Sequence, residues 1–364
     1  MAEVSHESLI DRPREVREGE QLDTPKLLAY LRDKLPDIEG EAEVRQYPAG
    51  FSNLTYHLRM GDHEFVLRRP PYGAKIKTAH DMGREFKILS RLRPVYPKVP
   101  RPVLYCEDET ILGAPFYLME RVRGVILRAQ PPEGVELSAE TMRHLSESFI
   151  RNLVQIHGVD YAAAGLGDLG RPEGYVARQI EGWTKRYYNA RTDDVPEVEE
   201  LARWLAQNAP PESGRALIHN DYKYDNVVFD PEDLAQVVAV LDWEMATVGD
   251  PLMDFGTSLG YWMDPDDPDE WQQAGFGVTA LPGNLRRREL VQSYARLSHR
   301  DVRDTVFYFA YGLLKIAVIV QQIFYRYRQG HTADPRFANL LALVRASGRL
   351  ALRSIEKKRV DELG

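Results

Sequence analysis

Residues 217–226, LIHNDYKYDN, limit what this chain can fold into more than any other stretch. Apolar Leu217 and Ile218 enter it, and Val227, Val228 and Phe229 leave it. The polar and aromatic residues between them follow no helical or strand period. Such a pattern is a loop pinned between buried segments, the usual mounting for reactive side chains. A second strand-like run, residues 237–241, follows a turn containing Pro231 and ends on Asp242, Trp243 and Glu244. Pairing of 227–230 with 236–241 as a hairpin puts Asn226 and Asp242 at one open end. An amide oxygen and a carboxylate there make the hard-oxygen set that Mg²⁺ prefers. Asp221 would stand beside that ion, where it can accept a proton from a hydroxyl. The arrangement points to phosphoryl transfer from ATP.

The spacing is H-x-D-x-x-x-x-N followed by an aspartate at a second strand end. HNDYKYDN, then LDWE, then GDPLMDF (residues 249–255) resemble the aminoglycoside phosphotransferase and choline kinase-like superfamily, which shares the protein-kinase fold. The resemblance implies an α+β, two-lobed protein-kinase-like fold, with a small lobe of five antiparallel strands and a larger, mostly helical lobe. It further implies ATP in the cleft, Mg²⁺, and an alcohol group as acceptor. Asp221 resembles the catalytic aspartate, and Asn226 and Asp242 resemble the two metal ligands. Lys223, where the superfamily often has histidine, is placed to aim an ammonium at the phosphoryl group; it also reads as a solvated lysine. His219 is expected to pack inside the loop, and Asp254 to anchor it. The few residues between Asp242 and the helix starting at Pro251 leave no room for a long activation segment. A small-molecule kinase therefore fits better than a protein kinase.

With 364 residues and 43% hydrophobic content, the chain can bury a large core and divide into two lobes. The expected division is a mobile N-terminal tail over 1–23, a small nucleotide-binding lobe over 24–122, and a large catalytic and substrate-binding lobe over 123–364. A net charge of −8 and a pI near 5.7 give no electrostatic footprint for nucleic acid. The single cysteine, Cys106, excludes a disulfide framework and any multi-cysteine zinc site. No N-terminal apolar region resembles a signal peptide, and no run of about eighteen apolar residues suggests a membrane span. A cytoplasmic protein without a membrane role is expected.

In the small lobe, Thr24 followed by Pro25 signals a helix start. Strand patterns cover 41–47, 51–59 and 63–69, the last two joined by the turn pair Gly61–Asp62. The connection containing Gly50, Ser52 and Asn53 is a candidate phosphate-covering loop, and also reads as an ordinary hairpin turn. Alternation along EFVLRR puts Val66 and Arg68 on one face. They resemble the adenine-facing alanine and phosphate-binding lysine of kinases, with arginine in place of lysine. Glu85, on a helix over 80–92, is the candidate partner of Arg68. Strands at 101–106 and 115–121 close the sheet, and the backbone near Glu120 and Val122 is where the resemblance places adenine.

The large lobe should hold helices over 138–157, 175–190, 197–208 and 303–328. On the last, Tyr308, Tyr311, Lys315, Gln322 and Arg326 recur at helical spacing, a stripe expected to line the acceptor site and bind an anionic substrate. The alternative is snorkelling cations. The acidic run 264–270 either attracts a cationic substrate or is a solvated loop. Residues 309–337, together with VLRRPP and HNDYKYDN, are similar to a subgroup fused to, or encoded near, acyl-CoA dehydrogenases. That implies a hydroxyacyl-CoA or hydroxy acid as acceptor, with a functional link to an acyl-CoA dehydrogenase. An aminoglycoside, choline or homoserine kinase remains open, as does a nucleotide-binding module without catalysis.

Overall fold

A computed structural model of the chain describes residues 10–47, 53–72, 81–128, 137–273, 278–332 and 334–364. Helix α1 (Thr24–Lys34) precedes strands β1 (Ala42–Gln46), β2 (Leu54–Met60) and β3 (His63–Arg69), then α2 (Met82–Leu92), β4 (Pro102–Cys106), the short α3 (Glu109–Leu112) and β5 (Phe116–Glu120). The strands form one antiparallel sheet in the order β1-β2-β3-β5-β4, as expected of the small lobe. Alternation along β3 sorts its side chains between two cores. Phe65 and Leu67 join α1, whereas Val66 joins Ile88 and Leu89 of α2. α1 is capped by Asp23, whose side chain accepts from the Lys26 amide at 3.2 Å, so the cap lies one residue before Thr24.

Beyond the sheet come β6 (Val125–Ile126), α4 (Ala139–His157), α5 (Tyr175–Ala190), α6 (Pro196–Gln207), β7 (Ala216–Ile218), β8 (Val227–Phe229), β9 (Val237–Val240) and β10 (Thr247–Gly249). They are followed by α7 (Pro251–Gly260), the short α8 (Asp269–Gln272), α9 (Arg287–Ser298), α10 (Thr305–Arg328) and α11 (Leu340–Lys357). β8 and β9 pair antiparallel with Val227 opposite Val240, the expected hairpin. Its β9 strand also reaches the small lobe, where the Val240 amide donates to Lys98 O at 2.8 Å. Helix α10 is long and apolar enough, by length and composition, to cross a membrane. It is instead the core of the large lobe, packed by α5, α6, α7 and α11. Its contact with α7 is possible only because two glycines meet. A Cβ on Gly256 would sit 2.2 Å from Tyr308 O, and one on Gly312 would sit 2.2 Å from Gly256 O.

Two expectations are corrected here. Residues 10–23 do not form a tail free of the fold: Ile10 bridges Val125, Arg14 bridges Gln46, and Asp11 pairs with Arg128 at 2.7 Å. Backbone bridges of this kind need no hydrophobic period, so the charged composition conceals them. The acidic run is not a cation trap either. Asp264 and Asp267 are buried around Arg287, Asp266 pairs with Arg286, and Glu270 pairs with Arg349.

Gly256→Ala should cost about 1–3 kcal/mol through overpacking, read as a lower denaturation midpoint with unchanged slope. Burial pushes the Asp264 carboxyl up from 3.8 to about 6, with Arg287 opposing. Because the folded value is the higher one, its stabilisation is complete below pH 3.8 and is lost as pH rises through about 6. Asp264→Asn should remove that decline from a melting-temperature series across this window; identical slopes in both proteins would count against it.

Candidate active site

β7 delivers the chain into the loop through a carboxylate beneath it. Asp254, wholly buried in the first turn of α7, accepts from the His219 amide at 2.8 Å, the Asn220 amide at 2.7 Å and His157 Nε2 at 3.0 Å. Burial alone would raise its pKa, but the His157 hydrogen bond and the neighbouring amides and imidazoles hold it below the usual value. Asn220 takes a left-handed conformation, φ 67°, which asparagine tolerates better than most residues. Its side chain donates to Met245 O and accepts from Tyr175 Oη. His219 is buried, which depresses its pKa and leaves the ring neutral. With Nε2 donating to Leu241 O at 2.8 Å, Nδ1 is the acceptor for the Asp221 amide at 3.3 Å. His157, in the last turn of α4, is a hydrogen-bond partner of Asp254 and Tyr294.

These bonds bring Asp221 and Asn226 together. The Asn226 side-chain nitrogen donates to Asp221 O at 2.8 Å and Oδ2 at 3.0 Å, which turns Asn226 Oδ1 away from that contact. Lys223 Nζ lies 2.9 Å from Asp221 Oδ2 and 4.7 Å from the Tyr261 ring centroid. Burial disfavours the Lys223 charge, but Asp221 and Tyr261 outweigh it and keep the ammonium protonated. The Leu241 amide donates to Asn226 O at 2.8 Å, so Asp242 follows directly at the same end of the hairpin.

Asp242 also has a left-handed backbone, φ 65°. Its Oδ1 accepts from Arg68 at 2.9 Å, and the other arm of that guanidinium meets Glu85 at 2.7 Å. Glu85 is wholly buried, and the same carboxylate oxygen accepts from the Trp243 amide at 3.1 Å. One residue earlier on α2, Arg84 donates to Glu244 O at 2.7 Å and to Ala246 O. Helix α2 thus grips residues 242–246 along their backbone. Glu244 Oε2 lies 3.5 Å from Arg68 and accepts from Asn53 at 2.5 Å. Burial and the Asp242 charge push Glu244 up to about 8.

Of the expected nucleotide-contact residues, Arg68, Glu85 and Asn53 therefore gather with Asp242, and Val66 is buried two residues before Arg68. Glu120 ends β5 with its side chain on Arg101, and Val122 lies in the connection to β6. Gly50 and Ser52 lie outside the described residues. The expected substrate stripe separates. Lys315 is buried, donates to Asn220 O and lines a cavity of about 340 Å³ beside the loop. Tyr308 is buried away from that cavity, near Ser213 and Asp250, and Arg326 is exposed further along α10. The stripe assumed that α10 shows one face to a cleft, whereas neighbouring helices surround it. Glu244 and Arg84 were missed. Glu244 had a signal in its place two residues after Asp242; Arg84 binds backbone and had none.

The family described as "Phosphotransferase enzyme family" matches residues 43–290. A Ralstonia eutropha protein assigned to the aminoglycoside phosphotransferases is 30% identical, with a TM-score of 0.77 over 93% of this chain and 99% of that one. A choline/ethanolamine kinase family protein from Mesorhizobium loti shares the fold at 15% identity and a TM-score of 0.58, covering 94% of this chain and 99% of its own. Acyl-CoA dehydrogenase family member 11 of Gallus gallus is 34% identical over 96% of this chain and 46% of its own length. The Homo sapiens protein of that name is 32% identical over 92% and 44%. The chain thus spans about half the length of these relatives.

Asp254→Ala would leave two loop amides and His157 without their acceptor. At roughly 1–3 kcal/mol for each unsatisfied group, a loss of about 3 kcal/mol or more is expected. Denaturant unfolding measures it, and faster hydrogen exchange at the Asn220 amide distinguishes a loosened loop from general destabilisation.

Proposed function

The chain belongs to the phosphotransferase enzyme family, and from that premise we propose that it is an ATP- and Mg²⁺-dependent kinase of a small hydroxylated molecule. The observation that carries the reading is the meeting of Asp221, Asn226 and Asp242 under Arg68. Among the described residues no three His, Cys, Asp or Glu side chains group as a metal site. That suits an ion held by Asn226 and Asp242 that completes its shell with phosphate oxygens and water. The charge around the site agrees. With Glu244 held up at about 8 and so neutral near pH 7, Asp221, Asp242 and Glu85 face Arg68 and Lys223, an excess of one negative charge. Mg²⁺ bound there would neutralise charge on the transferring phosphates.

In this reading Asp221 orients the acceptor hydroxyl and takes its proton. Lys223 stays charged beside it and supplies a positive field where negative charge develops. Arg68, braced by Glu85, holds a second positive charge on the nucleotide side. The acceptor is read as a hydroxyacyl-CoA or a hydroxy acid. Support comes from relatives named as acyl-CoA dehydrogenase family members, whose names also suggest a functional link to such a dehydrogenase.

Asp221→Asn should lower acceptor-dependent ADP release by about 10²–10⁴-fold while leaving nucleotide affinity near that of the wild type. Chelation of Mg²⁺ should silence both proteins. Equal ADP release from wild type and variant would end the catalytic assignment.

A further inference from the structure

Resting on that reading, we propose that the cavity beside the catalytic loop is an anion-recognition subsite for the acceptor, with Arg178 and Arg186 as its specificity-determining residues. The cavity, about 340 Å³, is lined by Arg171, Arg178, Arg186 and Lys315 around Trp183 and Asn220, and no carboxylate is among its lining residues. The chain as a whole carries a net charge of −8. Some arginines elsewhere find acids, as Arg191 does with Glu199 and Arg349 with Glu270, and others, such as Arg84 and Arg93, donate to backbone carbonyls. Among the described residues Arg171, Arg178 and Arg186 make no ion pair. Nearby Glu173 is taken by Arg215 at 2.9 Å. Arg171, Arg178 and Arg186 are exposed at the cavity, so their charges are hydrated and open to an incoming anion.

The cluster is also oriented. Arg178 donates to the backbone carbonyls of Arg171 and Glu173, which fixes its guanidinium at the N-terminal end of α5. Arg186 stands two turns further along, about 12 Å at 1.5 Å per residue, and lies over the Trp183 ring at 4.6 Å. Lys315 approaches the same ring at 5.6 Å and donates to Asn220 O, one residue before Asp221. Burial brings the Lys315 pKa down to about 8, with Asp221 and Asp254 opposing. The subsite therefore adjoins the loop that presents Asp221. An acceptor suited to it carries its hydroxyl at one end and a carboxylate or phosphate some ångströms away. Amino alcohols and aminoglycosides would meet repulsion.

Titration calorimetry on the full chain tests this with short-chain hydroxyacyl-CoAs, the free hydroxy acids and their neutral methyl esters. Anionic probes should bind at least about tenfold more tightly than the esters, and Arg178→Gln combined with Arg186→Gln should erase about that factor. Arg186→Lys should keep most of it, and added salt should weaken binding of the anions only. Preference for the CoA series would assign phosphates as the recognised group, and equal binding of the free acids would assign the carboxylate; either supports the subsite. In turnover the double variant should raise KM with kcat nearly unchanged. Equal binding of esters and anions, wild-type affinity in the folded double variant, or no binding of any anionic probe overturns the proposal. ADP release on the same panel is judged separately. Its absence in the wild type would overturn the kinase reading while the calorimetry still decides the subsite.

Discussion

The carboxylate of Asp254 is the fixed point from which the site is built. A buried charge is expensive unless its hydrogen-bonding capacity is filled, and here two loop amides and an imidazole fill it. Those amides belong to consecutive residues, His219 and Asn220, so the carboxylate sets the loop's direction at the point where φ turns positive. From the opposite side Lys315 takes the Asn220 carbonyl. Asn220, the residue before Asp221, is thus held at both its amide and its carbonyl. His219 then relays that position to the end of β9 through Leu241 O, one residue before Asp242. The loop carboxylate and the hairpin carboxylate are located by one continuous set of short bonds.

The two lobes are joined at the same place. Glu85 and Arg84 of α2 between them satisfy the Trp243 amide and the carbonyls of Glu244 and Ala246. Swinging α2 away would strand those backbone groups and leave Glu85 without Arg68, at roughly 1–3 kcal/mol for each unpaired group. Two-lobed kinases that switch by moving this helix need a segment able to take up the lost bonds. Here only residues 243–250 separate Asp242 from α7, and they are already committed to α2 and to β10. The geometry is that of a site in which α2 is already docked on residues 243–246 through their own backbone.

What the sequence disclosed follows from how local each signal is. Asn226 and Asp242 were legible because a hairpin converts spacing along the chain into proximity, and Arg68 with Glu85 because strand alternation and a helix face are both periodic. The start of α7 at Pro251 was legible, and Asp250 before it caps the helix by accepting from the Leu252 amide. Residues 10–23 were not, because they are held by backbone bridges and, among these described residues, only Ile10 and Leu22 are buried. Tyr308 and Arg326 misled for the opposite reason. Their helical period is real, but a helix enclosed on every side offers no single face from which to infer a cleft. Arg178 and Arg186 lie on α5, a helix whose sequence carried no motif, and only the meeting of that helix with Lys315 makes their charge informative.

The charges around Asp221 divide by side. Toward the hairpin lie Asp242 and Glu244, with Arg68 between them; toward α5 and α10 lie cations without acids. A neutral acceptor would leave the exposed arginines of the second group to solvent. An anionic acceptor changes the balance, since each of its charges meets the transferring phosphates at about 10 Å with roughly 1.7 kcal/mol of repulsion per pair at an effective dielectric of 20. Several such pairs would keep the hydroxyl from reaching Asp221. Cations placed behind the acceptor, on the side away from the nucleotide, offset that repulsion without neutralising the phosphates themselves. Under the proposed reading their position would also select: a hydroxyl would meet Asp221 only when the anion it is tethered to reaches α5, so chain length between the two groups would set which acceptors react.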